Sequence, residues 1–402
     1  MTDREIRLLK PTELREANAL FRGTLHGPPP SDEDWERVQH AYQPERSWGA
    51  FADGSVIGLA RSVDSALTVP GDAQVELAAV TAVGVRSDRT RRGVLTELMR
   101  AQLTEFAERG VPVAALHASE AVIYGRFGYG VATLERSIRL DRRRATVHNG
   151  AAGGDEIELH ALDDAVRLLP EIYAPFAAGR AGMVARPSYL WPGWEGHYRR
   201  SNGAMRLAVH RGRDGVDGYA AYRVHNPWPE EGDCVLYVED MNVANPDAFA
   251  GLWRYLLSVD LVDRIDAFGR PVDEPVAALL TDQRACETRG VYDDVWVRLV
   301  DVPAALSART YRGSGSVVID VRDTILTSNS GSYRLSADGC ARTDEPAALS
   351  MTVDTLAMLY LGGWQASALV TAGRIEATDA ESVAIADRLF AADVAPWCGT
   401  PF

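Results

Sequence analysis

The chain has 402 residues, of which 46% are hydrophobic and 24% charged, and its formal net charge is −14 at neutral pH. Length and composition predict a globular protein of two or three domains. The acidic balance excludes a general nucleic-acid binder, which needs a basic face to meet phosphates.

Nearly all the positive charge is arginine, Lys10 being the only lysine. Cys234, Cys286, Cys340 and Cys398 lie too far apart for a CxxC pair or a disulfide framework. Neither an HExxH nor a P-loop occurs, so no metal is expected. The start, MTDREIRLLK, has no apolar core of signal-peptide length. No stretch reaches the roughly 18 apolar residues of a membrane span, so a cytoplasmic chain with no membrane partner is expected.

In chain order, REIRLLK and SWGAFADGSVIGLARSVDSALTV predict strands, the second turning at Asp53-Gly54. Between them SDEDWERVQHAY has a serine N-cap and an acidic first turn, which predicts a helix. VELAAVTAVGV is a long apolar strand. In RRGVLTELMRAQLTEFAERG, Leu95, Leu98, Met99, Leu103 and Phe106 keep helical spacing, and Gly110 is placed to end the helix. VPVAALHAS then predicts a short buried strand, completing a strand–helix–strand unit with parallel strands.

An arginine run and a Gly/Ala-rich tract make 146–154 the expected linker. The next segment predicts a helix over 163–178, strands at AMRLAVHR, GYAAYRVH and DCVLYVEDMNV, and a helix over 246–257. VLYVEDMNV followed by a helix parallels VTAVGV followed by a helix, which suggests a degenerate second copy. Its loop reads ANPDAFAG, without an arginine–glycine cluster. The last hundred residues change pattern again, with strands leading to helices, one of them over 381–392, and an apolar tail PWCGTPF.

The strongest chemical signal is VGVRSDRTRRGVLTELM. A strand delivers Val83 and Val85, and a turn with Arg89, Arg91, Arg92 and Gly93 opens a helix. A helix start presents unpaired N–H groups and partial positive charge, which suit a pyrophosphate. Gly93 lets a phosphate approach the backbone. The spacing alone is equally consistent with an exposed basic loop.

Here the sequence becomes specific. The V-x-V strand with R-x-x-G at a helix start resembles the acetyl-CoA site of the GNAT acetyltransferases. AALHASEAVIYGRFGYG and VWVRLVDVPAALSARTY resemble, more narrowly, the Eis (enhanced intracellular survival) family, along essentially the whole chain. The resemblance implies an α/β protein with mixed sheets: an N-terminal GNAT domain (1–148), a degenerate GNAT-like domain (149–290) and a sterol-carrier-like domain (291–402). It implies acetyl transfer from acetyl-CoA to a small-molecule amine, aminoglycosides being the family's best-known acceptors, in a homo-hexamer. By motif, the backbones of Val83 and Val85 would hold the pantetheine arm. Arg91, Arg92, Gly93 and Val94 would hold the pyrophosphate, and Ser119 would flank the cofactor. Thr90 and Leu95 depart from the general motif, but backbone N–H groups carry most of the phosphate contact.

Acetyl transfer needs an acid for the departing thiolate and a base for the ammonium. A phenol, with a pKa of about 10, is protonated at neutral pH. Ser119 as an N-cap predicts a helix over 120–127 ended by Gly128, with Tyr124 inside and Tyr129 beyond. Residue chemistry leaves both tyrosines open, and the resemblance assigns the acid to Tyr124. For the base, Glu76 on the strand and His117 at a strand end are candidates by residue type. The resemblance points instead to the C-terminal carboxylate of Phe402.

The segment FRGTLHGPPPSDEDW offers His26 and Trp35 to the acceptor, along with Asp32, Glu33 and Asp34, acids that equally suit a helix start. The tail Gly399-Thr400-Pro401-Phe402 carries no acidic side chain, and His26 stands in the loop. Both weaken aminoglycosides as the expected substrate. The rival readings are a lipid- or sterol-type binding protein and a catalytically silent acetyl-CoA-binding regulator.

Overall fold

The structure is a computed structural model that describes residues 4–152, 156–200, 205–228 and 230–402. Residues 153–154 of the expected linker and Ala204 of the expected strand AMRLAVHR lie outside them.

The first strands are β1 (Glu5–Leu8), β2 (Ser47–Ala52), β3 (Ser55–Thr68), β4 (Gln74–Val85), β5 (Val113–Leu116), β6 (Gly130–Val131) and β7 (Leu134–Asp141). The middle of the chain supplies β8 (Glu156–Ala161), β9 (Arg206–Gly212), β10 (Gly215–His225), β11 (Val235–Val243), β12 (Arg264–Pro271) and β13 (Cys286–Asp293). Then come β14 (Trp296–Leu299), β15 (Ser316–Arg322), β16 (Gly331–Ser336), β17 (Gly339–Arg342), β18 (Leu349–Thr352) and β19 (Ile375–Ala377). The helices are α1 (Leu14–Thr24), α2 (Asp32–Val38), α3 (Val94–Glu108), α4 (Ala121–Tyr124), α5 (Leu162–Tyr173), α6 (Trp191–Arg200) and α7 (Pro246–Ser258). The last are α8 (Val302–Ala308), α9 (Val353–Tyr360), α10 (Ala366–Thr371) and α11 (Ala380–Phe390).

Among the described residues these strands form three sheets, ordered β1-β2-β3-β4-β5-β14-β6, β13-β7-β12-β11-β10-β9-β8 and β17-β16-β15-β18-β19. The first two stand where the two GNAT-like domains are expected, and they exchange strands. β7 leaves the first third to pair with β12 and β13, while β14 returns from beyond residue 290 to lie between β5 and β6. The linear limits expected at 148 and 290 therefore do not coincide with the sheets. All four residues of β14 are buried, as a strand with neighbours on both sides requires.

The expected internal repeat is visible in the pairing. β4 and β5 are parallel, joined through α3, and β11 and β12 are parallel, joined through α7. In α3 the buried side chains Val94, Leu98, Met99, Gln102, Leu103 and Phe106 keep the helical period and face the sheet. Its left-handed stop is Gly110, at φ 75°.

The third sheet and its helices share one core with the first sheet, from Val63 and Leu77 through Val297 and Leu299 to Leu356, Tyr360 and Leu389. Helix α9 settles onto the glycine-rich turn after α4. A Cβ at Gly130 would stand 2.0 Å from the Asp354 carbonyl oxygen, so only glycine lets the two backbones meet. A buried ion pair, Arg298 Nη2 to Asp323 Oδ2 at 2.6 Å, ties β14 to the third sheet.

Candidate active site

β4 and β5 pair only at Leu77–Val113, Ala78–Ala114 and Ala79–Ala115. Beyond that point β4 bulges, with Ala82 at φ 49° and a register shift against β3, and it runs on to Val85 paired with β3 only. The Arg86 N–H bonds to the Ile57 carbonyl on the β3 side at 2.9 Å. By strand alternation, the N–H and C=O of Val85 and Val83 face the other way, into the opening. An extended amide ligand can complete that edge as a further strand would.

The opening leads to the loop before α3. Arg91 and Gly93 take left-handed backbones, at φ 58° and 83°. The first intrahelical bond is Glu97 N–H to the Gly93 carbonyl at 3.1 Å, and no side chain caps the helix. The N–H groups of Val94, Leu95 and Thr96 are thus left for an anion. Arg91 and Arg92 are exposed and make no ion pair among the described residues. Arg4 staples the loop from behind, donating to the Arg92 carbonyl at 2.5 Å and to Glu97 at 2.6 Å. In the second repeat the same place is closed. Pro246 occupies the first helical turn, and the Asn245 side chain accepts from Ala248 N–H at 2.8 Å.

Past the C-terminal end of β5 the chain enters α4. Glu120 takes the N-cap position with an extended backbone and no side-chain cap bond, so the expected cap by Ser119 is not made. Four α-helical residues are followed by a 3₁₀ turn over 125–127, and Gly128 ends it at φ 85°. The shorter helix follows from a first turn that no side chain holds. Ser119 itself is exposed beside the opening.

The two tyrosines of this turn differ in kind. Tyr129 is fully buried and its hydroxyl has no partner among the described residues. Tyr124 has a buried ring against Tyr129, with centroids 6.1 Å apart. Burial, and then the nearby Glu120 charge, raise the Tyr124 pKa, so its phenol stays protonated.

The C-terminal segment reaches His117, just past the end of β5. Trp397 N–H donates to the Ala181 carbonyl at 2.9 Å, and its indole Nε1 to the Gly269 carbonyl at 2.8 Å. Cys398 N–H donates to Asp294 at 3.0 Å. Gly399 turns the chain at φ 61°, where a Cβ would strike the Trp397 ring. Arg186, stacked between the rings of Tyr173 and Trp194 at 3.8 and 4.0 Å, donates to Thr400 Oγ1 and to the Gly399 carbonyl. His117 Nε2 lies 3.0 Å from the Thr400 carbonyl, and the His117 and Phe402 rings are 4.8 Å apart. Phe402 is thereby held one residue past the end of β5.

Comparison with known proteins agrees with this geometry. The acetyltransferase (GNAT) domain family matches residues 5–132 and again 182–299, and the sterol carrier protein domain family matches 302–399. An uncharacterised N-acetyltransferase of Streptomyces coelicolor is 39% identical over 389 residues, 92% of this chain and 93% of that protein. The N-acetyltransferase Eis of Mycobacterium tuberculosis is 36% identical over 361 residues, 86% of each. The chain belongs to the Eis family of GNAT N-acetyltransferases. The crystal structure of Eis1 from Mycobacterium abscessus superposes with a TM-score of 0.91 at 38% identity, with both chains fully covered.

Within this Eis-family enzyme the remaining sequence candidates are held by contacts of their own. Glu76 stands near the start of β4, away from Val83 and Val85, and pairs with Arg109 at 3.5 Å. Trp35 is half-buried against Tyr42, with centroids 5.4 Å apart. Asp32, Glu33 and Asp34 are engaged by Arg15, Arg37, Arg22 and Arg200. His26 is exposed on a left-handed backbone just after α1, whose Thr24 packs over Gly84 of β4. Among the described residues no hydrogen bond or ring contact joins His26 or Trp35 to Tyr124 or Phe402. Sequence reasoning missed Arg186 and Asp294, which meet the tail at Thr400 and Cys398 only after folding.

Proposed function

We propose that the enzyme transfers an acetyl group from acetyl-CoA, lying in the opening between β4 and β5, to the amine of a small acceptor. The observation that carries this reading is the unpaired edge of Val83 and Val85 running into the uncapped start of α3. The edge takes the two amides of a pantetheine arm. Arg91, Arg92 and the N–H groups from Val94 onward take the pyrophosphate, with Gly93 leaving room and Ser119 flanking the arm.

In the proposed reaction the acceptor ammonium gives a proton to the terminal carboxylate of Phe402. The free amine attacks the thioester carbon, and a C–N bond forms as the C–S bond breaks. The phenol of Tyr124 protonates the departing sulfur, and the proton left on nitrogen returns the phenol to its starting state. The raised Tyr124 pKa supports the role of acid. The packing of Phe402 on His117, at the end of β5, supports the role of base.

His26 and Trp35 belong to this proposal as acceptor contacts at the outer mouth. The acids of α2 are already paired with arginines, which favours an acceptor of lower charge than a polycationic aminoglycoside. A homo-hexamer is proposed too, supported by the exposed apolar side chains Val291 and Tyr292 on edge strand β13.

A CoA-release assay with a panel of amines tests the function. Turnover supports it. Acetyl-CoA binding without turnover favours a regulator, and binding of lipid alone favours a carrier. Among the described residues no helix is long and apolar enough to cross a membrane.

A further inference from the structure

We propose that His117, Asp294 and Cys398 form a binding site for one divalent cation of the zinc class. The three come from the end of β5, the turn before β14 and the C-terminal tail. One donor atom from each lies within 4.8 Å of the other two.

Buried charge is the first argument. Five carboxylates are buried among the described residues: Asp240, Asp266, Glu274, Asp294 and Asp323. Four of them have an arginine, from Arg186, Arg139, Arg270 and Arg298, at 2.6 to 2.7 Å. Asp294, with its side chain 2% exposed, has none among the described residues, where its one ionisable basic neighbour is His117 at 3.6 Å. A buried carboxylate without a cation is costly, so something positive belongs there.

The outer contacts are the second argument. Asp294 Oδ2 accepts from Thr133 Oγ1 at 2.9 Å and from Cys398 N–H at 3.0 Å, which leaves Oδ1 to face His117. The Thr400 carbonyl, 3.0 Å from His117 Nε2, can only accept, so Nε2 carries the hydrogen. In the singly protonated ring Nδ1 then turns a lone pair toward Asp294 Oδ1. Two acceptors face each other, and a metal ion between them removes the conflict. A ligating histidine that donates its other N–H to a backbone carbonyl, and a ligating carboxylate that is itself hydrogen-bonded, are the usual outer shell of a metal site.

Donor chemistry selects the ion. One thiol, one imidazole and one carboxylate suit zinc or cobalt rather than magnesium or calcium, which require oxygen shells. Bonds of about 2.0 to 2.3 Å in a tetrahedron need donors closer than 4.8 Å, so the site closes by roughly 1 Å. The half-buried His117 ring and the irregular tail around Gly399 allow it. On binding, the Cys398 S–H bond breaks, the sulfur–metal bond forms, and the proton leaves to solvent. Three protein donors leave a fourth position for water.

The test is a titration of the metal-free full-length chain with Co²⁺, read by absorption. The expected result is uptake of one equivalent, with tetrahedral d–d bands and a thiolate-to-cobalt charge-transfer band, all displaced by Zn²⁺. Cys398→Ser should abolish the charge-transfer band, and His117→Ala should abolish stoichiometric uptake. Far-UV circular dichroism checks that each variant is folded. A missing band in the wild-type chain, as an imidazolium–carboxylate pair would give, overturns the proposal. So does a band that survives Cys398→Ser, which would place the metal on another cysteine.

Discussion

Arg186 donates from Nε to Thr400 Oγ1 at 3.2 Å and from Nη2 to the Gly399 carbonyl at 3.0 Å, so a side chain between α5 and α6 fixes the last turn of the chain. The same guanidinium pairs with Asp240 at 2.6 Å, with both side chains inaccessible to solvent. Tyr173 also meets Thr400 Oγ1, at 2.9 Å. The degenerate second repeat thus acts as a clamp for the tail. Its own β11–β12 opening is a cavity of about 530 Å³ lined by Met241, Asn242, Arg270 and Trp397. Replacing Arg186 would strand Asp240, at a cost of about 3 to 5 kcal/mol, so the cleaner probe is Thr400. Thr400→Val should cost about 1 to 3 kcal/mol of stability by removing a hydroxyl that two buried groups use. It should lower kcat while the acetyl-CoA Kd stays unchanged. Thermal melts, steady-state kinetics and calorimetry read the three quantities.

The loop before α3 predicts the opposite pattern. Arg91→Ala and Arg92→Ala each remove a cation proposed to meet the pyrophosphate. Each should raise the acetyl-CoA Kd by roughly 10- to 100-fold, the equivalent of one hydrogen bond to a charged group. The loss should shrink in high salt, because the wild-type contact is screened. Equal Kd values in wild type and both variants would remove the loop from the cofactor site.

Tyr124→Phe keeps the ring that packs on Tyr129 and deletes only the proposed acid. It should lower kcat by roughly 10²- to 10⁴-fold with acetyl-CoA binding intact. Because the phenol pKa is raised, any alkaline loss of rate due to Tyr124 should lie above the ordinary phenol range. Tyr129→Phe, at a hydroxyl with no partner among the described residues, should be nearly silent in kcat.

Glu135 gives a stability signature. Burial, and then Asp294 and Asp293, push its carboxyl from 4.5 up to about 7. Between those two pH values the unfolded chain releases a proton that the folded chain keeps. Stability from this residue therefore falls as pH rises from about 4.5 to about 7, and is flat above. In metal-free buffer, Glu135→Gln should melt higher than wild type at pH 8, and the gap should close toward pH 5. A gap independent of pH would contradict the assignment.

Local pattern carries much of the fold. The period of Leu98, Met99, Leu103 and Phe106 marks α3, and the serine cap expected before α2 is made, Ser31 accepting from Asp34 N–H at 3.1 Å. Helix α1 also carries a period, in Leu14, Ala17 and Leu20, that was open to sequence reasoning. Three kinds of feature were not legible. The exchange of β7 and β14 rests on pairings between strands far apart in the chain, such as Trp296 with Leu116, for which a single sequence offers no signal. Helix α6 contains Pro192, Gly193 and Gly196, which hide its period. The tail clamp joins His117, Tyr173, Arg186, Asp294 and Thr400 from separate segments. Each looks alone like an ordinary core or surface residue.

In the proposed mechanism acetyl transfer runs between Tyr124 and the terminal carboxylate of Phe402. Extending the chain by two glycines beyond Phe402 moves that carboxylate and puts an amide in its place. Thiol release at saturating acetyl-CoA, with an amine that the wild-type enzyme acetylates, is the direct measurement. Turnover should fall by at least roughly 100-fold, the scale of one general base, with acetyl-CoA affinity unchanged. Full turnover in the extended chain would contradict the account.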